Sequence, residues 1–204
     1  MRKFQRVNGP TFLLKNFSAT VTKPRWQVYG ERYAERRAIN KSFEFAWPQY
    51  QKRPLNHLLM PLLMLQTDAH CSYCDAYPLM SADNTIDHFK PKSKYPLEVC
   101  KWENLYVACA HCQKEKGTNY DEKLLRPDES GYDFYHYFYY DFTTHEIKIL
   151  WSLTGEEAQR AEATLRIMNF NHPAMKESRR LSYEGFADRP DFPLNDKTHR
   201  FMFE

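Results

Sequence analysis

Two cysteine pairs, Cys71 and Cys74 in CSYCD and Cys109 and Cys112 in CAHCQ, are separated by 34 residues in a chain of 204. Two CxxC pairs supply the four sulfur ligands of a tetrahedral site that suits Zn²⁺. Such a site is closed, so its role is structural: it ties two distant stretches of chain to one point. A redox reading needs one CxxC rather than two. The fifth cysteine, Cys100, lies outside both pairs and reads as a small buried residue. His70 and His111 flank the cysteines and could substitute as ligands, but four thiolates suffice without them.

The length allows a proper core without disulfides. An odd number of cysteines, and an N-terminal apolar run, TFLLKNF, that is short and broken by Lys15, are not those of a secreted protein, and the expected location is the cytoplasm, where thiols stay reduced. No stretch approaches the roughly 20 apolar residues of a membrane span. Net charge is +3, but up to Arg53 the chain carries twelve Lys or Arg against three Glu. That asymmetry fits a phosphate-rich partner, although a solvated helix face would look similar.

The expected fold class is α+β: a small metal-bearing centre within mostly helical flanks, plus a β-hairpin. Three regions follow from the pattern: a basic arm and helices over 1–70, the cysteine-bracketed core over 71–125, and an aromatic hairpin with C-terminal helices over 126–204, together forming one compact unit. Residues 1 to 28 read as an arm or short extended pieces. Tyr29 to Phe45 is helical and basic, and the six leucines from Leu55 to Leu65 predict a largely buried helix. Its Pro61 is tolerable if the true start lies just before it. YDFYHYFYYDFTTHEIKIL predicts two strands around a Thr-Thr-His turn, with Phe134, Phe138, Tyr140 and Phe142 on one face. Thr154 and Glu157 have capping-box spacing ahead of a helix, and Asn171 and Pro173 end it and begin another.

Between the cysteine pairs, Asp87 and His88 are adjacent in NTIDHFKPKSKYP, and Asn104 precedes the second pair in KWENLYVAC. Short strands are expected around Ile86 to Phe89 and after Asn104. A metal-dependent phosphodiesterase needs a base for water, a divalent cation for the phosphate and leaving oxygen, and a group that orients the base. Asp87, His88 and Asn104 are residue types suited to those tasks.

CSYCD, IDHFKPKSKYP and WENLYVACAHCQKEKG together resemble the HNH (ββα-metal) nuclease motif in its zinc-knuckle form. MRKFQRVNGPTFL, FAWPQY and ATLRIMNFNHPAMKESRR extend the likeness along the chain, which is similar to the PtuB-like HNH nuclease subunit of Septu and certain retron anti-phage systems. The resemblance implies a ββα-metal core with a four-cysteine zinc knuckle, and an endonuclease acting on DNA or on a host RNA such as tRNA. It makes His88 the general base, Asp87 a ligand of a catalytic Mg²⁺ or Mn²⁺, and Asn104 the residue that holds the loop and the base in register. The position nine residues after Asn104 holds Gln113, where the family has His or Asn; glutamine can offer a carbonyl oxygen to a hard cation. Lys90, Lys92, Lys94 and Lys116 are candidate phosphate contacts. The implied partners are an ABC-type ATPase and, in retrons, a reverse transcriptase with its RNA–DNA hybrid. No GxxxxGK[ST] occurs in the chain, so nucleotide switching would come from a partner. The competing reading is a zinc-stapled module that binds nucleic acid or protein without cutting.

Overall fold

The computed structural model describes residues 1–79, 84–186, 188–189 and 191–204. The chain is mixed α/β with short paired strands, and it divides into two compact units, each discontinuous in sequence. One comprises Val7–Leu65 and Ile86–Val107, the other Met1–Arg6, Gln66–Thr85 and Ala108–Glu204.

In the first unit, the segment expected as an arm contains a one-turn helix, α1 (Thr11–Leu14), and buries Leu13. It is held partly because the buried Trp102 indole needs an acceptor and donates to the Val7 carbonyl at 2.8 Å. Helix α2 (Arg25–Ile39) follows Pro24 and buries Val28, Tyr29 and Tyr33, while Arg32 and Arg36 face solvent. Its Gly30 is required by space: a Cβ there would lie 2.1 Å from the Leu97 carbonyl oxygen, in the turn Pro96–Glu98 that packs on the helix.

Strands β1 (Gln49–Tyr50) and β2 (Arg53–Pro54) form an antiparallel hairpin around Gln51 and Lys52, both at positive φ. The hairpin leads directly into α3 (Leu55–Gln66), whose first amide donates to the Pro48 carbonyl at 2.8 Å. The helix therefore starts ahead of Pro61, which sits inside it. Leu55, Leu59 and Leu63 form one buried stripe at the spacing of a helix face, whereas Leu65 is 78 % exposed. The expectation of a helix buried on most sides is thereby corrected to a one-sided burial. Strands β3 (Asn84–His88) and β4 (Leu105–Cys109) pair in a two-stranded sheet. Leu105, Tyr106 and Val107 are fully buried, and the Tyr106 ring packs 5.5 Å from Phe89.

The second unit begins its regular structure with α4 (Ala110–Lys116), closed by Gly117 at φ +51°. The aromatic run differs from its strand pattern: Phe134–Tyr137 is a helical turn, α5, because the Asp133 carboxylate accepts from the Tyr135 amide at 2.9 Å and caps it. Strands β5 (Phe138–Asp141) and β6 (Glu146–Ile149) then pair antiparallel, Phe138 opposite Ile149 and Asp141 opposite Glu146. The turn between them is built on Asp141, which accepts from the amides of Thr143 and Thr144. Helix α6 (Gly155–Met168) buries Ala161, Thr164, Ile167 and Met168; Thr154 stands at its cap without a side-chain hydrogen bond, so the capping box is not made. Asn169 ends α6 in the left-handed conformation and donates to Glu115 of α4 at 2.8 Å. Helix α7 (Pro173–Phe186) begins on Pro173, as its sequence predicts.

Gly30→Ala is expected to cost about 1–3 kcal/mol or more through overpacking against an immovable carbonyl. Chemical denaturation of the variant would show it as a lowered midpoint at unchanged slope.

Candidate functional site

In the second unit the four cysteines of the two CxxC pairs converge, with their sulfur atoms all within 4.8 Å of one another. The first pair lies in a tight knuckle, where the Asp75 amide donates to the Cys71 carbonyl at 2.9 Å and the Cys71 amide to that of Ala76 at 3.0 Å. The second opens α4: Cys109 is its cap, and its sulfur accepts from the Cys112 amide at 3.4 Å, while the Cys109 amide donates to the Cys71 sulfur at 3.3 Å. The Cys74 and Cys109 sulfurs are 3.7 Å apart. With Zn–S at about 2.3 Å, the edge of a ZnS₄ tetrahedron is about 3.8 Å, so the donor set fits zinc in both chemistry and size.

The thiols also respond as a cluster that wants a cation. Hydrogen bonds from Cys112, Cys71 and Cys74 hold the Cys109 thiol far below its ordinary range, whereas the same contacts to Cys109 push Cys74 and Cys112 up. Cys71 is held below its ordinary range as well, so the four thiols share charge unevenly, as a cluster whose protons a dication would replace. Cys100 belongs to the other unit; burial pushes its thiol up, which makes it inert.

A C-terminal clamp holds the first knuckle, and nothing in the CxxC pattern announces it. Arg200 is buried and forks onto the Asp75 carboxylate at 2.7–3.2 Å, with further bonds to Asp68 and to the Thr67 carbonyl. The Arg200 amide donates to Asp75 at 2.7 Å. His199 donates through Nδ1 to the Cys74 carbonyl at 2.7 Å and accepts from the Ser178 hydroxyl at 2.9 Å, and burial pushes its imidazole down to about 4. It is neutral at pH 7 with both nitrogens satisfied. His70 lies 2.9 Å from the Lys197 carbonyl, so it serves this clamp and lies outside the sulfur cluster.

In the first unit, Asp87 and His88 end strand β3 and both are buried. The His88 Nε2 lies 2.9 Å from the Val99 carbonyl, which can only accept, so Nε2 carries a proton. Trp47 stacks on the imidazole at 5.6 Å and 17°, and Phe45 meets it edge-on at 5.5 Å. Asn104 is likewise buried. Its Oδ1 accepts from the Lys90 amide at 2.7 Å, and its Nδ2 donates to the carbonyls of Lys90 and Glu98 at 3.1 Å. One amide side chain thus gathers both ends of the loop that follows His88. Lys90 pairs with Glu98 at 3.5 Å, and the exposed Lys92 lies over the Phe45 ring at 5.5 Å.

Asp87, His88, Asn104, Lys90 and Lys92 thus share one unit; Gln113 and Lys116 belong to the other, on α4 with the cysteines. Gln113 is half-buried. Lys116 has 0 % exposure, at odds with a phosphate contact made from solvent. Phe45 and Trp47 lie in FAWPQY, which the sequence offered only as part of the family likeness, and Val99 was not singled out; their role is to surround a histidine far along the chain.

Asp75→Ala, which strands the buried Arg200 guanidinium, is expected to destabilise by about 3–5 kcal/mol, with loss of bound zinc on dialysis. Denaturant titration and elemental analysis of the purified variant check both, and Cys74→Ser should lose zinc while Cys100→Ser keeps it.

No protein-family model matches the chain. It is similar to the Septu protein PtuB of Bacillus mycoides (strain KBAB4), 22% identical over 100 residues, a match covering 43% of this chain and 32% of that protein. The chain therefore spans about a third of the length of the curated relative it matches.

Proposed function

We propose that the chain is a metal-dependent HNH endonuclease, and that it serves a Septu or retron anti-phage system together with an ABC-type ATPase. The observation that carries this reading is His88. An imidazole held by one backbone carbonyl and packed between two aromatic rings has a set tautomer and a set orientation, as a general base requires. Nδ1 of His88 would take a proton from water, and the Val99 carbonyl bonded to Nε2–H would stabilise the imidazolium that forms. Asp87 is the residue that would hold a divalent cation, which when bound supplies charge stabilisation for the phosphate and leaving oxygen. Asn104 keeps the intervening loop closed, and Lys90 and Lys92 are the phosphate contacts of choice. Lys116, lacking exposed surface, is left out of that set.

The four-sulfur cluster supports the zinc-knuckle form of the motif, and the likeness to the Septu protein supports the defence role. The ATPase partner rests on the family resemblance; a retron setting would add the reverse transcriptase and its RNA–DNA hybrid. A second reading, a zinc-stapled binding module, is favoured by Gln113 at a position where the resembled family ligates metal with His or Asn.

A cleavage assay decides between them, offering plasmid DNA and total tRNA with Mg²⁺ or Mn²⁺, with and without an ABC-type ATPase of the proposed kind. His88→Ala is expected to lower cleavage by roughly 10²–10⁴-fold with zinc content unchanged. Wild-type protein that binds nucleic acid yet cuts neither substrate, even beside that ATPase, would establish the binding module instead.

A further inference from the structure

The first unit contains a cavity that the motif does not account for. Its volume is about 340 Å³, and it is lined by Phe17, Tyr29, Tyr33, Phe43 and Phe45, with Arg32 and Arg36 among them. A second cavity of about 330 Å³ shares Tyr33, Phe43 and Phe45 and adds Arg37 and Lys92. We propose that this aromatic trough seats an unpaired base of a single-stranded nucleic acid, with Arg32, Arg36 and Lys92 on the flanking phosphates.

Two features argue for that occupant. The cations lie over the rings themselves: the Arg32 guanidinium is 4.5 Å from the Phe17 centroid, Arg36 is 5.4 Å from Phe43 and the Lys92 ammonium is 5.5 Å from Phe45. Some exposed cations elsewhere do find carboxylates, as in Lys23 with Glu31 and Arg180 with Glu184. Arg32, Arg36, Arg37 and Lys92 form no ion pair among the described residues, although Glu44 lines the second cavity. An apolar peptide would gain nothing from that surplus of charge, whereas a nucleotide needs both elements: a ring for the base and cations for the phosphates. A concave site of this size accepts a base only when it is out of its stack, which favours single strands, loops or flipped nucleotides over intact duplex.

The second feature is continuity. Phe45 forms part of the trough and also meets His88 edge-on at 5.5 Å. A strand seated in the trough runs toward the proposed base. The proposal rests on the nuclease reading for the fate of the bound strand and not for the binding itself.

Fluorescence anisotropy on the full-length, zinc-loaded chain carrying His88→Ala tests it, with labelled 12-nucleotide DNA and RNA strands and the matching duplexes as probes. Single strands should bind more tightly than duplex. Phe43→Ala should weaken single-strand binding by about tenfold. Arg32→Gln with Arg36→Gln, both at exposed positions where the fold tolerates a polar substitute, should reduce the slope of log K against log salt by about 1.4. Single-strand affinity unchanged in both variants, or a preference for duplex, overturns the proposal and gives the trough to another occupant such as a partner peptide. The failures are separable: trough-dependent binding without cleavage by the His88-bearing chain sinks the nuclease reading alone, and cleavage that is indifferent to both trough variants sinks the trough alone.

Discussion

Four thiols packed within 4.8 Å of one another cannot all ionise without a cation between them. That constraint organises the second unit, because one of the two segments meeting at the cluster, the Cys71–Cys74 knuckle, is a turn with no strand ladder of its own. The adjacent Asp75–Arg200 pair is buried as well, and taking two charges out of water costs more than one contact returns. Here the geometry offsets that cost: a forked guanidinium, an added backbone amide, and the Asp68 carboxylate on the outer nitrogen. The gain lies in placement as much as in stability, since the pair fixes the C-terminal segment against the knuckle whose sulfurs must stay in register.

The other unit solves a similar problem with uncharged groups. His88 is buried at a strand end, so its N–H needs an acceptor, and the Val99 carbonyl provides one. Trp47 and Phe45 remove the ring's remaining freedom to rotate. Asn104 satisfies backbone groups of a loop that has no regular partner, which a hydrophobic residue of the same size could not do. The result is a short, polar, lysine-bearing loop on a rigid support, an arrangement that suits a reacting or binding site better than a purely structural turn. The trough beside Phe45 extends the same logic outward: rings give area and arginines give charge.

Much of this was legible from the residues. Helices α3, α6 and α7 follow apolar spacing and proline placement, and β3 and β4 follow short β-branched and aromatic runs; α2, expected over Tyr29–Phe45, runs from Arg25, just after Pro24, to Ile39, leaving Phe43 and Phe45 outside it. The errors have local causes. A strand pattern over Phe134–Tyr137 lost to the Asp133 cap, which satisfies an amide that a strand would have left for its neighbour. Leu65 is exposed because the Leu55, Leu59 and Leu63 stripe takes the one buried face, and leucines too many for one stripe need not all be buried. Lys116 looked solvent-facing because lysines usually are, and periodicity on a seven-residue helix is too short to say otherwise.

The sequence by itself determined the chemistry on offer: four thiolates in two pairs, an Asp-His step, an asparagine ahead of a strand, and a surplus of positive charge near one end. These are local patterns, and local spacing restricts local geometry. Only the tertiary structure decided what surrounds them. Arg200 reaches Asp75 across 125 positions, and His88 is framed by Trp47 from one side of the sequence and Val99 from the other. Arginines without a carboxylate among the described residues gather over rings contributed by a helix and by the segments flanking it. Such partners carry no mutual signal along the chain, because their proximity is created by folding and by the requirement that each buried polar group find an acceptor or donor wherever the fold places one.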